Sequence, residues 1–168
     1  MYTRFSRLVI SAIGGVLLMG GTAIAEEKEV DWKALKAAKI SLAEGLAAAQ
    51  QKGRPISGKF EMEDGKLQLS VYTAKKGKFS EVIVDHKSGK ISKSKEIKEG
   101  KDLSHSVTQD EAMAKAKKSL RTAANKAVAS NKGYRAVSVV PSLEQGKPIA
   151  TIVLENATGT KTVSEKLD

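Results

Sequence analysis

The chain has 168 residues and a formal net charge of +10, with 40% hydrophobic, 29% charged and only 4% aromatic residues. That is enough for one medium domain or two small ones, with a core built mostly from Ala, Val, Leu and Ile. It has no Cys and two His. Disulfides, thiolate metal sites, iron–sulfur clusters, cysteine nucleophiles and a three-His metal cage within one chain are therefore excluded.

The chain opens with Arg4 and Arg7, then an apolar run from Leu8 to Met19 and an Ala23-Ile24-Ala25 site. This is the three-part pattern of a secretory signal peptide, 1–25, cleaved after Ala25. A retained anchor is the competing reading, but a membrane helix needs about 20 apolar residues. No Cys follows, so a lipid anchor on Cys is excluded. Cleavage leaves a periplasmic or secreted protein of residues 26–168 with a net charge of about +8.

Residues 26–39 place Trp32, Leu35 and Ala38 at helical spacing, which predicts a short docked helix. Ser41-Leu42-Ala43-Glu44 is a capping box, and the helix it starts ends at Gly53, read as a left-handed C-terminal glycine. Ile56, Gly58, Phe60 and Met62 then alternate with Ser57, Lys59, Glu61 and Glu63, the period of a half-buried strand. Asp64-Gly65 predicts a tight hairpin turn. Further strands are predicted over 66–71, 79–85 and 90–94, giving one helix and four antiparallel strands in residues 26–97.

Residues 98–106 are polar and read as a linker. The pattern then restarts over 107–168. Thr108-Gln109-Asp110-Glu111 matches a second capping box. One helix through Ala112, Ala116, Leu120, Ala123 and Ala127 ends before Gly133, and strands follow over 135–140, 149–155 and 160–168. One register lays 78–85 over 161–168, so that the second copy lacks the fourth strand. Another matches Asp85…Gly89 with Glu155…Gly159. The first keeps the helix-to-strand distances alike and is preferred. The expected fold class is α+β: two tandem units, each one helix packed on an antiparallel three- or four-stranded sheet.

Lys39-Ile40-Ser41-Leu42-Ala43-Glu44, the two hairpins and the closing Val84-Asp85-His86-Lys87-Ser88-Gly89-Lys90-Ile91 resemble PepSY domains. The resemblance covers 39–97 and, more loosely, 107–168. It implies a non-catalytic exported module that inhibits or regulates peptidases, and it carries no catalytic residues with it. The cystatin shape is similar in outline, but its Q-x-V-x-G hairpin is absent, with Gln68-Leu69-Ser70-Val71 the nearest approach.

Other motifs carry little. His86 beside Asp85 reads as an exposed turn residue, with Asp85 closing the turn, and no G-x-S-x-G accompanies it. His105 falls in the linker. Ser92-Lys93-Ser94-Lys95 matches S-x-x-K without its partner motifs. Asn156-Ala157-Thr158 fits a sequon and equally a turn. No phosphate-binding loop occurs, and no cofactor or metal is expected.

Two surfaces remain. An incomplete second sheet leaves an unpaired edge at Thr162, Val163, Ser164, Glu165 and Lys166, where a peptide segment or peptidase partner could add a strand. Lys115, Lys117, Lys118, Arg121 and Lys126 crowd the second helix, with Lys75, Lys76 and Lys78 on one hairpin tip. A solvated face is the ordinary reading of such a run; contact with acidic partners or an anionic envelope is the functional one, nucleic acid being disfavoured by export.

Overall fold

A computed structural model describes residues 30–168. The expected signal peptide lies outside the described residues. The elements run α1 (Trp32–Leu35), α2 (Leu42–Ala49), β1 (Arg54–Glu63), β2 (Lys66–Lys75), β3 (Lys78–Val84), β4 (Ile91–Ile97), α3 (Gly100–Lys115), α4 (Leu120–Ser130), β5 (Arg135–Glu144), β6 (Lys147–Asn156) and β7 (Gly159–Lys166). The class is α+β.

The strands form one seven-stranded antiparallel sheet in the order β4-β3-β2-β1-β5-β6-β7. The expectation of two separate sheets is corrected: β1 and β5 join them at the centre. The joint is short, Gly58 facing Val139 and Lys59 facing Ser138. A bulge interrupts β1 against β2 between Pro55 and Ser57, and another interrupts β5 against β6 between Ala136 and Ser138. Such bulges twist a strand locally. Each strand thus carries its bulge close to the joint, at Ile56 on β1 and at Val137 on β5.

The hairpins follow from local chemistry. Asp64-Gly65, Lys76-Gly77 and Gln145-Gly146 all have positive φ at both residues, the backbone of a two-residue turn whose twist matches the strands. The same number of residues separates Asp64 from Gln145, Lys66 from Lys147 and Gly58 from Val139.

One face of the sheet carries Phe60, Leu69, Val71, Val82, Val84, Val139, Ile152 and Leu154, all buried. α2 and α4 lie on it and on each other. Their buried faces mix leucines with small residues: Leu42 and Leu46 with Ala43, Gly45 and Ala49 on α2, and Leu120 with Ala123, Ala124 and Ala127 on α4. A Cβ added at Gly45 would sit 2.4 Å from a Leu69 methyl, and one at Gly58 3.0 Å from a Leu46 methyl. Glycine at these points lets helix and sheet close to packing distance, and a larger side chain would overpack the core.

Five sequence expectations are corrected here. The linker 98–106 is mostly helix, because α3 begins at Gly100 and crosses the opposite face of the sheet over β1, β2, β5 and β6. Thr108-Gln109-Asp110-Glu111 is not a cap but mid-helix. The Thr108 hydroxyl donates to the Ser104 carbonyl one turn back. The helix through Ala112 to Ala127 is two helices, broken at 116–119, and Ser119 is the N-cap of the second, accepting from the Thr122 N–H at 3.1 Å. Gly53 is also absent from the positive-φ positions. Its need for glycine is spatial: a Cβ there would lie 2.7 Å from the Ala74 carbonyl oxygen. β5 and β6 are longer than expected, β5 running through Pro141 to Glu144, whereas β7 ends at Lys166.

Candidate interaction surface at the sheet edges

The V-D-x-x-S-G-x-I segment is a structural lock. Asp85 Oδ1 accepts from the Lys87 and Ser88 N–H groups at 3.1 and 2.6 Å, and Gly89 N–H returns to the Asp85 carbonyl. The bonds from Ser88 hold the Asp85 carboxyl below its usual pKa. The His86 carbonyl then accepts from both Lys39 and Ile40 N–H. The turn thereby pins the approach to α2, whose box closes at once: Ser41 N–H and hydroxyl both donate to Glu44 Oε2, at 2.7 and 2.8 Å. Those bonds, the backbone one first, lower the Glu44 pKa. Arg135 on β5 completes the clamp, donating to the carbonyls of Leu35, Ala38 and Ile40 at 2.8, 3.1 and 2.9 Å. Its partial burial lowers its own pKa.

His86 is half-buried rather than exposed, with Nδ1 enclosed and unpaired. His105 is exposed on α3, away from any linker. Beside it Ser106 is 1% exposed with its hydroxyl unpaired. Ser106 lines a cavity of about 110 Å³ between α3 and the sheet, with Ser57, Lys59, Tyr72, Asp102, His105 and Gln109. Sequence reading misses this cavity, since the first part of α3, up to Ser106, reads as linker. It is smaller than the several hundred Å³ of ordinary ligand pockets. Farther along the same face, Glu81 is half-buried, and burial first and Glu61 second push its carboxyl pKa up. Among the described residues no group of three or more His, Asp or Glu is placed to hold a metal ion.

The basic residues do not share one helix. Lys115 ends α3, Lys117 and Lys118 lie in the break, and Arg121 and Lys126 are on α4, all exposed. Lys126 Nζ meets Glu165 at 2.5 Å, and Lys117 and Lys118 N–H groups bond the Leu167 carbonyl at 2.7 and 2.9 Å. Lys117, Lys118 and Arg121 do converge with Arg54 around a cleft of about 560 Å³ against α2. Arg54 is held there by Asp110 at 2.5 Å and the Met113 carbonyl at 3.0 Å. Lys75, Lys76 and Lys78 sit at the β2–β3 turn, as expected.

The two sheet edges are β4 and β7. Thr162, Val163, Ser164, Glu165 and Lys166 all lie on β7, paired inward with β6 from Lys166 opposite Ile149 to Gly159 opposite Asn156 without a bulge. The Leu167 N–H continues the inward series, bonding the Pro148 carbonyl at 3.0 Å. Strand alternation then turns the N–H and C=O groups of Thr160, Thr162, Ser164 and Lys166 outward. Lys161, Val163 and Glu165 point to the α4 side, where Lys161 Nζ meets Asn131 Oδ1 at 2.5 Å. The turn before β7 is closed by Asn156 Oδ1, which accepts from Thr158 and Gly159 N–H. β4 differs: its pairing with β3 shifts between Ile83 and Val84, and it presents Lys93 and Lys95.

No protein-family model matches the chain, and no curated protein matches it. A crystal structure from Clostridium difficile 630, provisionally described as a lipoprotein, aligns with a TM-score of 0.45 at 9% identity. The alignment spans 77% of this chain and 88% of that one. Among the described residues, no helix is long and apolar enough to cross a membrane.

Proposed function

We propose that the chain is a non-catalytic exported binding module that takes a partner strand at the β7 edge. In this reading the chain is a tandem PepSY-like pair. α2 with β1 to β4 is the first unit, α4 with β5 to β7 the second, and a partner strand pairs along the β7 edge. The observation that carries the reading is the bulge-free β7 ladder, which aligns the outward backbone groups of Thr160, Thr162 and Ser164 in one row, continued by Lys166, whose carbonyl is met by Lys118 Nζ at 3.5 Å. Main-chain pairing at such a row supplies affinity, and alternate side chains supply selectivity. The PepSY resemblance adds the partner class: an exported peptidase or a segment of one.

The test is fluorescence anisotropy of labelled extended peptides with the full chain. Alternating Val/Thr peptides should bind, and S164P, which removes an outward N–H without touching the β6 ladder, should abolish binding. The chain should also slow hydrolysis by a thermolysin-like metallopeptidase, and S164P should not. Peptide binding unchanged by S164P would overturn the reading.

A second reading rests on the basic cleft. Arg54, Lys117, Lys118 and Arg121 converge there, and Lys115 and Lys126 extend the positive surface. An envelope-associated protein would hold anionic groups on this face, with attraction screened over about 8 Å at physiological ionic strength. Binding to anionic vesicles should fall when Lys115, Lys117, Lys118 and Lys126 are changed to Gln; unchanged binding refutes it.

A further inference from the structure

The β7 edge carries its own specificity. A two-fold axis perpendicular to an antiparallel strand pair passes between two directly opposed residues. Placed at Val163, such an axis sets Val163 of one chain against Val163 of a second. It sets Thr162 against Ser164, Lys161 against Glu165 and Thr160 against Lys166. The three central pairings are then complementary: apolar with apolar at Val163, hydroxyl with hydroxyl at Thr162–Ser164, cation with anion at Lys161–Glu165, while Thr160 against Lys166 at the ends is neutral to the match. Moving the axis by one residue either way loses this, because Val163 then opposes Lys161 or Glu165. Like or mismatched residues directly opposite one another destabilise a ladder, whereas opposite charges support it.

The hydrogen-bond phase agrees. Thr160, Thr162, Ser164 and Lys166 point their backbone groups outward, so Thr162 against Ser164 and Thr160 against Lys166 fall on hydrogen-bonded positions. Val163 and the Lys161–Glu165 pairs fall on the non-hydrogen-bonded positions, where side chains come closest. Lys161 and Glu165 are on the same face of their own sheet, as their contacts with Asn131 and Lys126 on α4 show, so they meet on one face of the joined sheet.

The other edge disfavours the same centred arrangement. On β4, an axis at Lys93 or Lys95 puts that lysine against its own copy, and an axis at Ser94 puts Lys93 against Lys95. A self-pairing register centred on the strand is thus free of like-charge opposition on β7 and not on β4. It closes on itself, leaving two guarded β4 edges at the ends of a fourteen-strand sheet (twice the seven of one chain).

We infer that the strand this edge takes is β7 of a second copy, antiparallel and centred on Val163. The inference rests on the proposal that β7 accepts a strand at all, and it names the partner. Because the pair occupies the row a foreign strand would use, self-association sets the threshold such a partner must exceed.

Sedimentation equilibrium of residues 26–168 tests it. The parent chain should dimerise with rising concentration. K161E places Glu against Glu, and E165K places Lys against Lys, so each alone should weaken dimerisation at least tenfold. Mixed together, the K161E and E165K chains should pair with each other, since each supplies the charge the other lacks. S164P should give monomer, with its far-ultraviolet circular dichroism reporting that the sheet persists. A dimer indifferent to K161E and E165K overturns the inference. A chain that stays monomeric yet binds extended peptides in an S164P-sensitive way overturns it too, while leaving the strand-accepting edge intact. A monomer that binds no peptide removes both.

Discussion

The two ends of the sheet are built from strands of similar length and opposite behaviour. β4 interrupts its ladder beside Val84 and sets Lys93 and Lys95 along its rim; β7 keeps its ladder straight and alternates Lys161 and Glu165 around Val163. Lysines and irregular pairing are the usual means of blunting an exposed edge. The chain blunts one end and leaves the other regular. In the proposed reading, the adhesiveness of β7 follows from the order of its charges rather than from their number.

Several changes sharpen that contrast. The largest effect is expected from proline. S164P should abolish peptide or self-pairing at β7, whereas S94P on β4 should leave it intact, read by anisotropy and sedimentation. Next come the supports. Leu154 on β6 is fully buried under the β7 end, and L154A should cost about 2–5 kcal/mol in denaturant unfolding through lost burial and the cavity left behind. R135A should cost about 3 kcal/mol, since three carbonyls lose a charged donor, although that of Leu35 keeps its bond from the Ala38 N–H. Because it clamps the segment before α2 onto β5, the loss should destabilise both ends together.

A smaller, pH-dependent effect belongs to the β4 end. The Glu81 pKa is raised, so the neutral carboxyl suits the fold. Its favourable contribution is present below the unfolded pKa, about 4.5, and is lost as pH rises through the folded value. E81Q should therefore raise the melting temperature at pH 7, and the gain should shrink at pH 4. Glu44 and Asp85, with lowered pKa values, act in the opposite sense: their contribution is held at neutral pH and lost on acidification below the usual carboxylate range. The least effect is expected from K126Q, an exposed ion pair with Glu165 worth at most about 1 kcal/mol in thermal unfolding.

The strands and tight turns were legible because a half-buried strand writes its period directly into the chain, and because Asp64-Gly65 suits one turn geometry. The Asp85 turn was legible for the same reason: its side chain closes it locally. α3 was not. Its buried residues are Ser106, Ala112 and Met113, with Leu103 partly buried, and the serine breaks the apolar spacing a reader looks for. Glu99 caps it without a side-chain bond, so no start signal exists, while Thr108 to Glu111 imitates one mid-helix. The union of the strands into one sheet was hidden because the β1–β5 joint spans two residue pairs, and pairing between distant strands leaves no mark on periodicity. At the site, the edge residues could be named from the missing fourth strand. Their outward and inward phase needed the Leu167–Pro148 bond, and the basic cluster dispersed because a helix break divides it.

The chain has no cysteine, so a single introduced thiol reports one contact. V163C should form a disulfide-linked dimer under mild oxidation, because opposed residues at non-hydrogen-bonded positions bring their Cβ atoms within disulfide reach. S94C on β4 should stay monomeric under the same conditions. Equal crosslinking of the two variants, or none at position 163, would contradict the account of one guarded and one adhesive edge.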